Sequence, residues 1–190
     1  KRDPENPFCA LYHQKAPHGN WKPALEYLDL YKDTTFEPPV NFFDDYEGRG
    51  RAAKEQNSMI HGSMRWGRHF LFLTDPEGNP TGFENELKRL TKEQKEKWLA
   101  AFTPRNEALK AANLSEKELA KWKFNRYIKN YLRCVRSVDD GVGEVLNYLE
   151  EAGLSENTIV IYTSDQGFFL GEHGWYDKRF MYEEAFRMPL

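Results

Sequence analysis

Residues 164–178 read Ser-Asp-Gln-Gly-Phe-Phe-Leu-Gly-Glu-His-Gly-Trp-Tyr-Asp-Lys, and they concentrate the groups in this sequence best suited to chemistry. Asp165 offers a hard carboxylate and Gln166 a side-chain carbonyl oxygen, the donors that calcium or magnesium takes in preference to softer ligands. Gly167 and Gly171 would let the backbone approach a neighbour closely. The same Asp-Gln-Gly also reads as a plain tight turn closed by an Asx hydrogen bond, and the residues alone leave both readings open.

The elements around this segment say where it would sit. Residues 158–163 form a continuous β-branched run, as expected of a central parallel strand covered on both faces. Ligands gather at the carboxyl ends of strands in open α/β sheets, which is where the polar, glycine-rich turn falls. Before the strand, Ile128, Tyr131, Leu132, Val135, Val138, Val142, Val145, Leu146 and Leu149 recur at steps of three and four, the stripe of a long amphipathic helix. Gly153 supplies its left-handed stop. Thr91-Lys92-Glu93-Gln94 and Ser115-Glu116-Lys117-Glu118 fit the capping box, so each should open a helix. Residues 8–13 read as a short buried strand feeding a loop, and residues 33–90 hold most of the prolines and glycines and predict irregular structure with short helices.

The 190 residues suffice for the core of one ordinary domain. Charged residues make up 30% with a net charge of only −3, which gives no basic footprint for nucleic acid and no polybasic membrane patch. At 15% aromatic, the chain is too rich in rings for intrinsic disorder. No apolar stretch reaches the length of a membrane span. Cys9 and Cys134 lie far apart, outside any zinc or disulfide pattern. The first residues carry no apolar signal core, a strand follows almost at once, and the last residues are apolar, so both ends read as cut.

Asp165-Gln166-Gly167, Gly171-Glu172-His173-Gly174 and Lys178 together resemble the type I sulfatase family, in which a strand ends in Thr-Ser/Ala-Asp-Asn/His-Gly and runs through Gly-Glu-His-Gly to a downstream lysine. Lys15-Ala16-Pro17-His18 is similar to the Ala-Pro-His or Lys-Pro-His that follows a strand in that family. Residues 136–146 are similar to its helix before the metal-site strand. The order of the three elements makes the resemblance specific, and it implies an α/β fold, the alkaline phosphatase-like sandwich, present only in part over residues 1–190.

The resemblance also implies roles. Asp165 and Gln166 would be calcium ligands, His18 would protonate the leaving alcohol, and Lys178 would hold the sulfate and its bridging oxygen. Sulfate-ester cleavage wants such cations and an acid, because charge builds on the equatorial oxygens and on a poor alkoxide leaving group. Histidine suits the acid role with a pKa near neutrality. Lys15 is a candidate for touching the sulfate, against a plain solvated lysine. His173 with Glu172 would contact the sugar or order the loop. His61 and His69 read as packing or surface residues, Asp139 and Asp140 as capping or solvated, and Trp21, Trp175 and Tyr176 as core rings or stacking surfaces for a sugar.

Two departures qualify the match. Gln166 stands where the family has Asn or His, and its longer side chain must reach a metal by another rotamer. The family's Cys-x-Pro/Ala-x-Arg, whose cysteine becomes formylglycine, is matched by neither Cys9 nor Cys134, and the paired aspartates of the family's first strand are absent too. Both belong to upstream positions, so the expectation is a fragment, inactive alone, whose calcium site and formylglycine are completed outside this chain. The expected substrate is a sulfated carbohydrate such as a sulfated N-acetylhexosamine of a glycosaminoglycan or mucin. Expected partners are the remainder of the enzyme or a second copy of the fragment. Family habit points to a periplasmic, secreted or lysosomal location. A phosphatase or phosphodiesterase of the same superfamily and a non-catalytic interaction module are the alternatives.

Overall fold

The computed structural model describes residues 6–189. The chain runs through loops and a single 3-10 turn at Leu25–Tyr27 to two short helices, α1 (Arg51–Glu55) and α2 (Glu84–Leu87). Two long helices follow, α3 (Lys92–Ala111) and α4 (Glu116–Glu151). Strands β1 (Phe169–Leu170) and β2 (Tyr176–Asp177) then pair as an antiparallel hairpin, and α5 (Glu183–Phe186) comes last.

Both long helices begin at the expected capping boxes. Gln94 N–H donates to Thr91 Oγ1 at 3.2 Å while Thr91 N–H donates back to Gln94 Oε1 at 2.9 Å. Ser115 and Glu118 exchange the same pair at 3.4 and 2.8 Å. Losing such a cap costs about 1 kcal/mol. Gly153, at φ +66°, closes α4 as expected: its N–H reaches Glu150 O at 2.9 Å, and Leu154 N–H reaches Leu149 O at 2.8 Å. These are the two bonds of a Schellman motif, which satisfy carbonyls that the helix end would otherwise leave open.

The middle of α4 is the hub of the core. Phe124, Tyr127 and Ile128 bury against Trp21, Phe42 and Phe70, while Trp98 and Phe102 of α3 bury against Leu71, Phe83 and Leu87. The buried face of α4 also carries Arg126, Asn130 and Arg133, which the apolar stripe did not reveal. Arg126 donates to Phe70 O at 2.9 Å and Asn106 Oδ1 at 2.6 Å, and its guanidinium lies 4.5 Å from the Phe102 ring centroid. Arg133 donates to Leu30 O at 2.9 Å, and burial pushes its pKa down to about 10. Buried charge persists only when its donors are satisfied, and here they tie irregular loops to the helix. Further along, Val145 and Leu146 of the expected stripe are 38% and 41% exposed.

Two expectations need correction. Residues 158–163 and 8–13 form neither helix nor strand, and neither belongs to a β-ladder among the described residues. Ile159 is 91% exposed, Ile161 72% and Leu11 79%, where buried strands were expected. A strand acquires its hydrogen bonds and its burial from neighbours, and no other described segment lies in the ladder position. The sequence pattern therefore specifies a sheet that these residues do not complete among themselves.

Candidate functional site

The Gly-Glu-His-Gly segment is the turn of the β1–β2 hairpin. Gly171 adopts φ +116°, and a Cβ there would meet the Phe124 ring at 2.7 Å, so only glycine fits against α4. Gly167 packs as closely, its missing Cβ facing the carbonyl oxygens of Glu184 and Arg187. Tyr127 Oη donates to Phe169 O at 2.9 Å, clamping β1 to α4. On the other side, Tyr176 N–H reaches Ser58 O at 2.8 Å and Ile60 N–H reaches Gly174 O at 2.9 Å. Trp175, fully buried, stacks on Tyr46 at 5.6 Å and on Phe180 at 4.8 Å. Of the two roles open to Trp175 and Trp21, both rings take core packing.

His173 sits inside this turn with its ring committed. Its Nδ1 donates to Asp44 Oδ2 at 2.6 Å, Asp44 also accepts from Arg49 at 2.5 Å, and Tyr46 Oη donates to His173 O at 2.6 Å. Burial alone would raise the Asp44 carboxyl, but hydrogen bonds from His173, the Tyr46 backbone and Arg49 outweigh it and hold its pKa below the usual value. Only 11% of the His173 side chain is exposed, and these bonds tie the hairpin turn to residues 44–49.

Lys178 leaves the hairpin with its ammonium 5.5 Å from the Phe168 ring centroid and 3.8 Å from Asp177 Oδ1. Phe168 in turn meets Trp21 edge-on at 6.1 Å, and Trp21 Nε1 donates to Pro17 O at 2.8 Å. That bond holds the turn in which His18 N–H reaches Lys15 O at 2.9 Å. A continuous chain of contacts thus joins Lys178 to the His18 turn through two aromatic rings. His18 is exposed, its Nδ1 2.9 Å from Gly19 O, and Lys15 is exposed at the start of the same turn.

Asp165 and Gln166 lie just before Phe168. Asp165 is exposed, its Oδ1 3.4 Å from Ser164 Oγ, and Gln166 O accepts from Ser164 Oγ at 2.9 Å. Their oxygens are of the type a hard divalent cation takes, yet among the described residues no cluster of three or more His, Cys, Asp or Glu could hold an ion. Two donors are too few for calcium, which takes roughly six to eight oxygens. Elsewhere, Asp140 accepts from Tyr27 Oη and from Arg136 at 2.5 Å, fixing the 3-10 turn to α4. Cys134 is buried, which pushes its thiol up to about 11, and Cys9 is exposed.

One group escaped sequence reasoning. Arg65, Arg68 and His69 line a polar cavity together with Tyr176, Asp177 and Arg179. The signal was there: residues 59–73 carry two arginines and two histidines and no Asp or Glu.

The family model described as Sulfatase matches residues 1–190. An N-acetylglucosamine-6-O-sulfatase of Bacteroides thetaiotaomicron is 47% identical over 192 aligned residues, covering 100% of this chain and 34% of the relative. An iduronate 2-sulfatase of Mus musculus is 43% identical over 68 residues, 35% of this chain and 12% of the relative. Among solved structures, one described as a complex with its substrate D-glucosamine-2-N,6-O-disulfate superposes with a TM-score of 0.90 at 46% identity, over 99% of this chain and 39% of that one. The fold is accordingly α/β, part of an alkaline phosphatase-like sandwich. The chain spans about a third of the length of the relatives it matches end to end.

Proposed function

Because this chain belongs to the sulfatase family, matched over residues 1–190, we propose that it forms part of an enzyme that hydrolyses sulfate esters on a carbohydrate, a 6-O-sulfated N-acetylglucosamine being the leading substrate. The observation that carries this reading is the agreement along the whole chain, at 47% identity, with a relative described by that activity. The substrate in the superposed complex, a sulfated glucosamine, belongs to the same chemical class.

Hydrolysis breaks the bond between sulfur and the bridging oxygen, releasing the sugar alcohol and sulfate. His18, exposed on its turn, donates the proton that the departing alcohol oxygen needs. Lys178 presents an ammonium to the sulfate and its bridging oxygen, where negative charge grows in the transition state. Partial burial against Phe168 strengthens that interaction by excluding water. His173, locked to Asp44, acts as a positioning residue that fixes the turn from which Lys178 emerges, and Lys15 meets an outer sulfate oxygen.

The family's metal, taken here as calcium, would be held partly by Asp165 and Gln166 and would add positive charge beside the sulfate oxygens. Its other ligands, and the formylglycine that the family uses as nucleophile, would come from outside this chain. The chain alone is therefore inactive, and its partner is the remainder of the enzyme, at a periplasmic, secreted or lysosomal location. The test is to assay the full-length protein, matured for formylglycine, on N-acetylglucosamine 6-sulfate and on N-acetylglucosamine 6-phosphate. Release of sulfate in preference to phosphate supports the reading, and the reverse preference overturns it.

A further inference from the structure

The cavity beside β2 has a volume of about 420 Å³ and is lined by Arg65, Arg68, His69, Tyr176, Asp177 and Arg179. That volume lies in the range of small-molecule sites and would admit a substituted sugar ring. Three guanidinium groups face a single carboxylate, and that carboxylate is already engaged: Arg179 Nε and a terminal nitrogen lie 3.0 and 2.9 Å from Asp177 Oδ2. Arg68 donates through Nε to the neutral Asn20 Oδ1 at 2.6 Å. Among the described residues neither Arg65 nor Arg68 pairs with a carboxylate.

His69 adds a donor rather than a further charge. Its Nδ1 accepts the Arg65 backbone N–H at 2.7 Å, which fixes the proton on Nε2. Burial, with the neighbouring Arg68 and Arg65, lowers its pKa to about 4, so the ring is neutral near pH 7. Its ring packs on Trp21 at 5.9 Å and on Tyr176 at 5.4 Å, so the cavity wall is backed by the core and held still. Two fork-shaped guanidiniums with unused donors and a fixed imidazole N–H make a receptor for a planar or tetrahedral oxyanion.

The location gives the anion its source. Tyr176 and Asp177 immediately precede Lys178, and Asn20, which Arg68 grips, lies two residues after His18. We propose that this cavity is a subsite for a second anionic group, a sulfate or a carboxylate, carried by the same substrate whose ester meets Lys178 and His18. The inference rests on the sulfatase reading and extends it, from which bond is cleaved to which sugars are preferred.

The experiment uses the full-length protein and its R65Q/R68Q and R65K/R68K variants. Turnover is compared on N-acetylglucosamine 6-sulfate, on glucosamine 2-N,6-O-disulfate, and on a 6-O-sulfated N-acetylglucosamine linked to a uronate. The glutamine pair should lose at least about tenfold more kcat/KM on one of the doubly anionic sugars than on the singly sulfated one, as expected when charge-assisted bonds are removed. The sugar that suffers says whether sulfate or carboxylate is the ligand. The lysine pair, which keeps the charge but not the fork, should recover part of that loss. Equal loss on all three sugars, or loss on none, overturns the subsite while the sulfatase reading stands. Calorimetry with glucosamine 2-N-sulfate, and with the uronate-linked sugar lacking the 6-sulfate, reads the cavity apart from turnover. Binding of either that disappears in R65Q/R68Q supports the subsite even if no sulfated sugar is hydrolysed, and absence of binding of both in the unaltered protein overturns it.

Discussion

His173 Nδ1 lies 2.6 Å from Asp44 Oδ2, although 129 positions of sequence separate the two residues. The pair fastens the hairpin turn to the loop before α1, and Arg49 and Tyr46 complete the attachment from the same loop. Lys178 follows directly on β2 of that hairpin, so on the proposed function the pair steadies a residue it does not touch.

Substituting Asp44→Ala should therefore destabilise the protein by about 3 kcal/mol, the cost of leaving buried partners without their acceptor. Thermal unfolding checks it, and a change within error of zero would mean the loop holds without the pair. The sign with pH follows from the depressed Asp44 carboxyl. Its contribution is present above the ordinary carboxylate value and is lost as pH falls through the lower folded value. Asp44→Asn should remove that acid-side dependence.

His69 loses stability on the same acid side, but because folding favours its neutral rather than its charged form. Its folded pKa of about 4 lies below the ordinary 6.5, so the unfolded chain takes up a proton that the folded chain refuses. Stability is full above the ordinary value and falls as pH drops toward 4, by up to about 3 kcal/mol. Unfolding curves between neutral and mildly acid pH should show that decline in the unaltered protein and a flatter profile in His69→Gln.

Glycine substitutions should divide by backbone geometry. Gly171→Ala combines a positive φ of +116° with a clash on the Phe124 ring, and should cost at least about 2 kcal/mol. Gly143→Ala, within α4 and with nothing within 4 Å of its added Cβ, should be neutral or stabilise by up to about 1 kcal/mol. Similar effects at the two positions in denaturant titrations would contradict the turn geometry.

Calcium should bind this chain alone only weakly, in the millimolar range or above, because Asp165 and Gln166 supply two of roughly six to eight oxygens. Titration calorimetry on residues 1–190 measures this directly. Micromolar affinity would require further ligands within the chain.

The caps at Thr91 and Ser115 and the stop at Gly153 were legible because each depends on a few neighbouring residues whose hydrogen bonds close locally. The hairpin was harder. Gly167 and Gly171 pointed to close backbone approach, but nothing near His173 in sequence pointed to Asp44. Arg126 and Arg133 were missed for a related reason: a periodic stripe counts apolar residues, and their carbonyl partners at Phe70 and Leu30 come from distant loops. Residues 8–13 and 158–163 were read as buried strands because pattern records what a segment suits, whereas pairing depends on neighbours. At the site, Asp165 stood out by its donor type after a β-branched run, Lys178 and His18 only through a family pattern, while Arg65, Arg68 and His69 converge through folding of an irregular region.

On the proposed function, His18 and Lys178 serve one sulfate-ester site. The most direct test is the rate of sulfate release from N-acetylglucosamine 6-sulfate by the full-length, formylglycine-matured protein, compared with His18→Ala and Lys178→Ala. The unaltered protein should turn over, and kcat should fall by about 10² to 10⁴ in each variant, the range for removing a general acid or a charge-stabilising group. Turnover that survives both substitutions undiminished, or no sulfate release by the unaltered protein, would contradict it.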